Sequence, residues 1–211
     1  MNGMGDNAGK TRVPRKGQPR GPGRATKVAT ASSRRKFLLF LVKPSHYDDD
    51  GYVIQWLRSA IPSNTLACMY GLALDCKERR VLGDDVEIVI KALDETNTRI
   101  RPERIARQLG TKPGLVAMVG VQSNQFPRAM DIARPLRAAG IQVCIGGFHV
   151  SGCLAMLEEP TQELKQAMAL GISLFAGEAE GRFKLRSGHR CSGRLEAAYK
   201  LMTCSERGRG G

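Results

Sequence analysis

FLLFLV, at residues 37–42, is a run of six apolar residues between a basic segment and the polar stretch KPSHYDDDG. A continuous rather than alternating apolar run is typical of a strand that helices cover on both faces, as in a parallel sheet. The run is far shorter than the roughly 20 residues that a membrane span needs, and no small-residue cleavage site of a signal peptide follows it. It therefore predicts a buried parallel strand.

Four further runs of strand length follow along the chain. They are VEIVI (86–90), LVAMVGV (115–121), IQVCIGG (141–147) and SLFAG (173–177). Helical segments separate them: SNTLACMYGLALDCKERRVLG (63–83), RPERIARQLG (101–110), FPRAMDIARPLRAAG (126–140) and PTQELKQAMALG (160–171). Each segment opens near a capping residue or a proline, such as Ser63 or Asn64, and stops at glycine. Pro135 should kink or shorten the third of them.

Strands that alternate with helices predict an α/β fold. We expect a flavodoxin-like (Rossmann-like) open parallel sheet of five strands, with helices on both faces.

The charge is uneven along the chain. Residues 1–36 hold ten Lys or Arg against one acid, and residues 182–211 hold eight against two, which leaves 15 basic and 17 acidic residues between them.

This charge distribution predicts three segments: a disordered basic arm at 1–36, one α/β domain at 37–182, and a basic, disordered tail at 183–211. The basic ends have two interpretations. Arms of this kind attach to nucleic acid through counterion release; alternatively they are solvated tails, because no aromatic residues interleave with the charges.

The cysteine pattern favours a reduced, cytoplasmic protein. Six cysteines form no Cys-x-x-Cys pair and no zinc-type spacing, so we predict no metal ligands. Cys144 lies inside an apolar run and is expected to act as a small core residue. There is no Gly-x-Gly-x-x-Gly fingerprint, P-loop or nucleophile elbow. We therefore identify no complete catalytic set and leave open whether the chain is an enzyme.

Small and polar residues follow the predicted strands, in KPSHYDDDG, GVQSNQ, GGFHVSG and GEAEG. The carboxyl ends of parallel strands form the ligand crevice of open α/β sheets. The candidate cofactor-binding residues are Ser45, Gly120, Ser123, Asn124, Gly146, Gly147, Phe148, His149, Gly177 and Glu178.

Each candidate also has a structural interpretation. Gly146 and Gly147 admit a flat ligand or make a turn with positive φ. Asn124 binds a ligand or caps a helix, His149 is a ligand or a structural residue, and Glu178 belongs to an acid pair or to the start of a helix. The aspartates at 48–50 form a cation site or a solvated turn.

The order of VGVQSNQFPRAMDIARPLRAAG, GGFHVSG and LGISLFAGEAEGR resembles the N-terminal cobalamin-binding domain of cobalamin-dependent radical S-adenosylmethionine proteins. The resemblance covers about residues 37–182. It implies a corrinoid lying over the carboxyl edge of the sheet. In this arrangement Ser123 and Asn124 line the pocket of its nucleotide tail. Gly146 and Gly147 pack on the tail, Phe148 and His149 lie near the lower face of the ring, and Gly177 and Glu178 close the far side.

Two departures from that family limit what the resemblance implies. The Asp-x-His-x-x-Gly motif of cobalamin-dependent mutases is absent, and His46 lacks its spacing, so cobalt ligation by the protein is not expected. The Cys-x-x-x-Cys-x-x-Cys motif is also absent, so we expect no iron–sulfur cluster or S-adenosylmethionine site in this chain. We interpret the chain as a truncated relative that needs a radical S-adenosylmethionine partner chain for any radical chemistry.

Three functions are compatible with these sequence features. The first is a cobalamin-binding module with no membrane association. The second is a non-binding remnant domain whose basic arms contact nucleic acid. The third is a small flavodoxin-like enzyme that uses another cofactor, which the missing phosphate-binding fingerprints disfavour.

Overall fold

The computed structural model describes residues 34–56 and 63–179. Five strands form one parallel sheet in the order β2-β1-β3-β4-β5. The strands are β1 (Arg35–Lys43), β2 (Val86–Asp94), β3 (Gly114–Met118), β4 (Gln142–Gly146) and β5 (Ser173–Phe175). The helices are α1 (Asn64–Glu78), α2 (Pro102–Leu109), α3 (Phe126–Ala138), α4 (Phe148–Met156) and α5 (Gln162–Ala169), and a 3-10 helix (Ser123–Gln125) precedes α3. This is the predicted flavodoxin-like α/β arrangement.

Strand β1 lies between β2 and β3 and is buried on both of its faces. Leu38, Phe40 and Val42 contribute to the core under α2, α3 and α5, whereas the alternate residues of the strand pack with α1. Successive residues of a strand point to opposite faces of the sheet, and helices cover both faces here. This explains why the run is apolar at every position. The prediction of helices on both faces is confirmed.

Cys144 lies on β4 in the core under α1, with 1% of its surface exposed. Burial raises the pKa of its thiol, because the thiolate would be desolvated there. The expected role of Cys144 as a small core residue is confirmed.

The ends of the helices follow the capping rules. Ser63 is the N-cap of α1, and its side chain accepts a hydrogen bond from the amide of Leu66 at 3.2 Å. Thr161 caps α5 in the same way, through the amide of Leu164. Pro135 does not shorten α3, which continues to Ala138. Pro135 is exposed and close to the end of α3, which continues for three residues past it although a proline removes its own N–H donor and crowds the carbonyl four residues earlier.

The segment GGFHVSG is not the loop that its sequence suggests. Only Gly147 separates β4 from α4, which begins at Phe148. Gly147 is the N-cap but has no side chain to cap the helix, so the usual sequence signal for a helix start is missing. The helix is apolar on its exposed face as well, with Met156 83% exposed, and therefore lacks the periodicity that would reveal it.

The predicted basic arm and tail lie mostly outside the residues that the structure describes. Strand β1 begins at Arg35, so Arg35 and Lys36 belong to the sheet rather than to an arm. Residues 1–33 of the predicted arm and the tail at 183–211 lie outside the described residues. Within residues 34–56 and 63–179, no helix is long and apolar enough to cross a membrane.

Candidate functional site

The strand order reverses between β1 and β3, because the chain leaves β1 for β2 on one side and continues from β3 to β4 and β5 on the other. All strands are parallel, so the segments that follow them start from the same edge of the sheet. Open α/β sheets bind ligands at such a reversal, outside the carboxyl ends of the strands. The edge beyond Lys43 and Met118 is therefore the expected location of a ligand site.

An open depression of about 460 Å³ lies at this edge and is lined by Gln122, Ser123, Asn124 and Phe148. Its size falls within the roughly 300–1,000 Å³ usual for small-molecule sites. Phe148 presents 76% of its surface to solvent at the start of α4. The structure thus brings three of the candidate residues, Ser123, Asn124 and Phe148, to one surface. Asn124 lies inside the 3-10 helix and is not the N-cap of α3, which is Gln125.

His149 is buried next to this depression, with 8% of its surface exposed. Its Nδ1 lies 3.1 Å from Oγ of Ser123, and its Nε2 lies 3.0 Å from Oε1 of Glu163. The ring packs on Phe126 at a centroid distance of 4.6 Å, and Sγ of Cys153 is 3.9 Å from Nδ1. Since both ring nitrogens already have protein partners, the geometry disfavours His149 as a metal ligand.

The backbone of the protein requires a glycine at position 147. Its φ is +146°, and a Cβ there would overlap the amide nitrogen of Val121. A Cβ at Gly120 would lie 2.8 Å from Cγ2 of Thr65, and one at Gly146 would lie 3.2 Å from Cβ of Phe175. These three glycines therefore let neighbouring segments approach at the edge, which is a sufficient reason for glycine at each position.

Ser45 does not line the depression. It is fully buried, its amide donates to Oε2 of Glu95 at 3.2 Å, and its hydroxyl donates to the carbonyl of Ile54 at 2.6 Å. Glu95 is also fully buried and pairs with Arg128 of α3 at 2.7 Å. These bonds fix the segment after β1, where Ser45 lies, against α3.

The segment after β5 is held by α4. The amide of Gly177 donates to Oγ of Ser151 at 3.0 Å, and both Gly177 and Glu178 are exposed. The serine of GGFHVSG thus positions the segment that carries Glu178. The aspartates at 48–50 form a solvated turn, in which Oδ1 of Asp48 accepts from the amides of Asp50 and Tyr52.

Comparison with known proteins yields no relative: no protein-family model, curated protein or solved structure matches this chain. Within the stretches that the structure describes, no three His, Cys, Asp or Glu side chains are grouped to hold a metal ion.

Lys43 and Glu163 contact residues beside the depression, Gln125 and His149, but were not among the candidates from the sequence. Lys43, at the end of β1, donates to Oε1 of Gln125 at 2.6 Å. Burial lowers the pKa of Lys43 below its ordinary value, and the charge of Asp94 opposes the change. The sequence did contain a signal for Lys43, because a lysine directly follows the apolar run FLLFLV. Glu163 carried none, because its contact with His149 depends on the packing of α5 beside α4.

Proposed function

We propose that this domain binds a corrinoid of the cobalamin type at the carboxyl edge of its sheet. The observation that carries the proposal is the convergence of Ser123, Asn124 and Phe148 on one open depression at the carboxyl edge of the sheet, where β3 and β4 end. These residues come from two of the motifs on which the family resemblance rests. The proposal adds to that resemblance a surface of suitable chemistry: two small polar side chains beside an exposed aromatic ring.

The residues present are compatible with the parts of such a ligand. Ser123 and Asn124 supply hydrogen-bonding groups for the polar nucleotide tail, and Phe148 supplies a flat apolar surface for the corrin. A whole corrinoid is larger than the depression, so the tail occupies it and the ring lies outside, over the edge. His149 is engaged by Ser123 and Glu163, so the protein contributes no histidine to cobalt from this position. When bound, the corrinoid would supply cobalt-centred chemistry.

Retention of hydroxocobalamin tests the proposal. The full chain is incubated with the corrinoid, desalted, and its visible absorption spectrum is recorded against that of the free corrinoid. We expect near-stoichiometric retention and a shifted spectrum. If the folded protein emerges from desalting without corrinoid, the proposal is wrong.

A matched pair of variants locates the site. Asn124→Trp fills the depression, and Thr111→Trp places the same side chain on an exposed residue of the α2–β3 connection, at the opposite edge of the sheet. We expect Asn124→Trp alone to lose retention. Gly147→Trp is not informative, because any side chain at 147 collides with the main chain of Val121. Equal retention by both variants would place the corrinoid elsewhere.

A second proposal concerns the basic ends of the chain. The formal net charge is +13, and 15 basic and 17 acidic residues lie between the two basic segments, so the excess positive charge belongs to the ends. We propose that the ends bind nucleic acid without sequence preference.

A further inference from the structure

The geometry points to a second activity of the same edge: Ser123 is a nucleophile for acyl transfer, His149 is its general base, and Glu163 orients the base. The three side chains form a continuous chain, with 3.1 Å between Oγ of Ser123 and Nδ1 of His149 and 3.0 Å between Nε2 of His149 and Oε1 of Glu163. Nucleophile, base and orienting carboxylate within hydrogen-bond distance are the geometric signature of an activated serine. This inference does not depend on corrinoid binding, and a corrinoid tail in the depression would exclude the ester, so the two ligands compete for one surface.

The hydrogen bonds assign the proton positions. An ionised carboxylate only accepts hydrogen bonds, so Nε2 of His149 carries the proton that Glu163 accepts. Nδ1 is then the unprotonated nitrogen and accepts the hydroxyl proton of Ser123. The nucleophile meets Nδ1 rather than Nε2, but in this tautomer Nδ1 is the nitrogen with the free lone pair. The imidazole is thus prepared to take the serine proton.

Burial and exposure are distributed as such a reaction needs. Ser123 is exposed and lines the open depression, so a substrate has access to its oxygen. His149 is 8% exposed and is held against Phe126, which fixes the ring beside Ser123. Glu163, on the first turn of α5, is partly exposed and reaches Nε2 of His149 from the surface.

The lining of the depression indicates the substrate class. Phe148 offers an apolar wall, and the carboxamide of Asn124 offers an N–H donor of the kind that stabilises a developing oxyanion. Among the described residues that line it, none carries a charge. A neutral ester with a short apolar acyl group therefore fits better than a charged substrate.

The reaction follows the ordinary acyl-enzyme course. Oγ of Ser123 bonds to the carbonyl carbon as its proton passes to Nδ1 of His149, and the carbonyl π electrons move to oxygen. The intermediate collapses, the bond to the leaving alcohol breaks, and His149 returns the proton to that alcohol. Water then repeats the sequence on the acyl-serine, so the net change is ester plus water to acid plus alcohol.

Covalent labelling tests the assignment without knowledge of the natural substrate. A fluorophosphonate should add to Ser123 with loss of fluoride, as seen by intact mass and peptide mapping, and p-nitrophenyl butyrate should be hydrolysed above the buffer rate. We expect Ser123→Ala to abolish both. His149→Gln should lower hydrolysis by about a hundredfold or more, and Glu163→Gln by more than about tenfold.

Ser151→Ala is the matched control, because this neighbouring serine bonds to Gly177 and not to His149, and it should retain labelling and hydrolysis. Thermal melting of each variant separates loss of chemistry from loss of fold. The inference is overturned if the folded parent protein is not labelled, or if the label maps to Cys153 or Ser151. It is also overturned if His149→Gln, folded, is labelled as fast as the parent.

Discussion

At the scale of single residues, the glycines show how a motif that suggests a ligand can serve the protein itself. Gly147 has a backbone conformation that only glycine adopts readily, and it lies against the main chain of Val121. Gly152, five residues on in α4, has open space where a Cβ would stand. Of the three glycines of GGFHVSG, Gly147 is therefore required by the backbone and Gly152 is not, a difference that the sequence alone did not show.

This difference gives a prediction about stability. Gly147→Ala should lower the free energy of unfolding by about 3 kcal/mol, since the new methyl group overlaps backbone atoms and the φ is unfavourable. Gly152→Ala should instead raise it by about 0.5–1 kcal/mol, because alanine is the better helix former. Urea denaturation of both variants measures the two effects. Equal midpoints would contradict the close approach of Gly147 to Val121.

Lys43 gives a prediction about pH. Burial lowers its pKa below the ordinary 10.5, so the folded protein releases this proton before the unfolded chain does. The contribution of Lys43 to stability must then rise with pH between the folded-state pKa and 10.5. Competitive labelling with acetic anhydride, followed by peptide mass spectrometry, should give a titration midpoint for Lys43 that moves upward when the protein is unfolded in urea. An unchanged midpoint would show that its amine is not desolvated.

At the scale of elements, the five strands could be predicted from the sequence but not all of their ends, since β2 continues to Asp94 and β3 stops at Met118. Burial on both faces makes the central strand β1 an uninterrupted apolar run, whereas the edge strand β2 contains Glu87 and Lys91. Helix α4 escaped prediction because its start is capped by no side chain and its exposed face is apolar. Helix α3 continues past Pro135 because the burial of Ile132, Ala133 and Leu136 offsets the missing donor and the crowded carbonyl.

The ion pair that joins α3 to the segments after β1 and β2 should contribute to stability as a unit. Glu95 is fully buried and Arg128 is 18% exposed, so removing one partner leaves a desolvated charge. Arg128→Met should cost about 3–5 kcal/mol. Arg134→Met, which breaks the exposed pair with Asp131, should cost under about 1 kcal/mol.

The coupling of Glu95 and Arg128 is measured by a double-mutant cycle with Glu95→Gln, which keeps hydrogen-bonding atoms for the amide of Ser45. We expect the double variant to cost clearly less than the sum of the single ones. Strict additivity in urea denaturation would show that the pair does not hold the segment after β1 to α3.

At the scale of the whole molecule, the fold could be predicted and the site only in part. Parallel topology follows from periodicity and connection length, and topology alone brings the carboxyl-end segments to one edge. It does not say which side chains face outward there. Ser45, from the first of these segments, is buried, whereas Ser123 and Phe148 are exposed. The partnership of His149 with Glu163 needs the packing of α5 beside α4, and no local pattern encodes it.

The charge distribution along the chain leads to a prediction about nucleic acid. Residues 1–33 hold seven Lys or Arg and one acid, and removing them leaves β1 intact because that strand begins at Arg35. The logarithm of the affinity for duplex DNA should fall with the logarithm of salt concentration by about 0.9 for each phosphate neutralised. Deleting residues 1–33 should therefore reduce this slope by up to about 6, with little preference among unrelated sequences.

Fluorescence anisotropy over a series of salt concentrations measures both slopes. Deletion of 183–211 is the companion experiment, because that segment carries the other basic cluster and leaves every described residue in place. If only one deletion changes the slope, only the deleted segment contacts the DNA phosphates. A slope that neither deletion alters would assign the binding to the near-neutral domain, and the proposal for the basic ends would then be wrong.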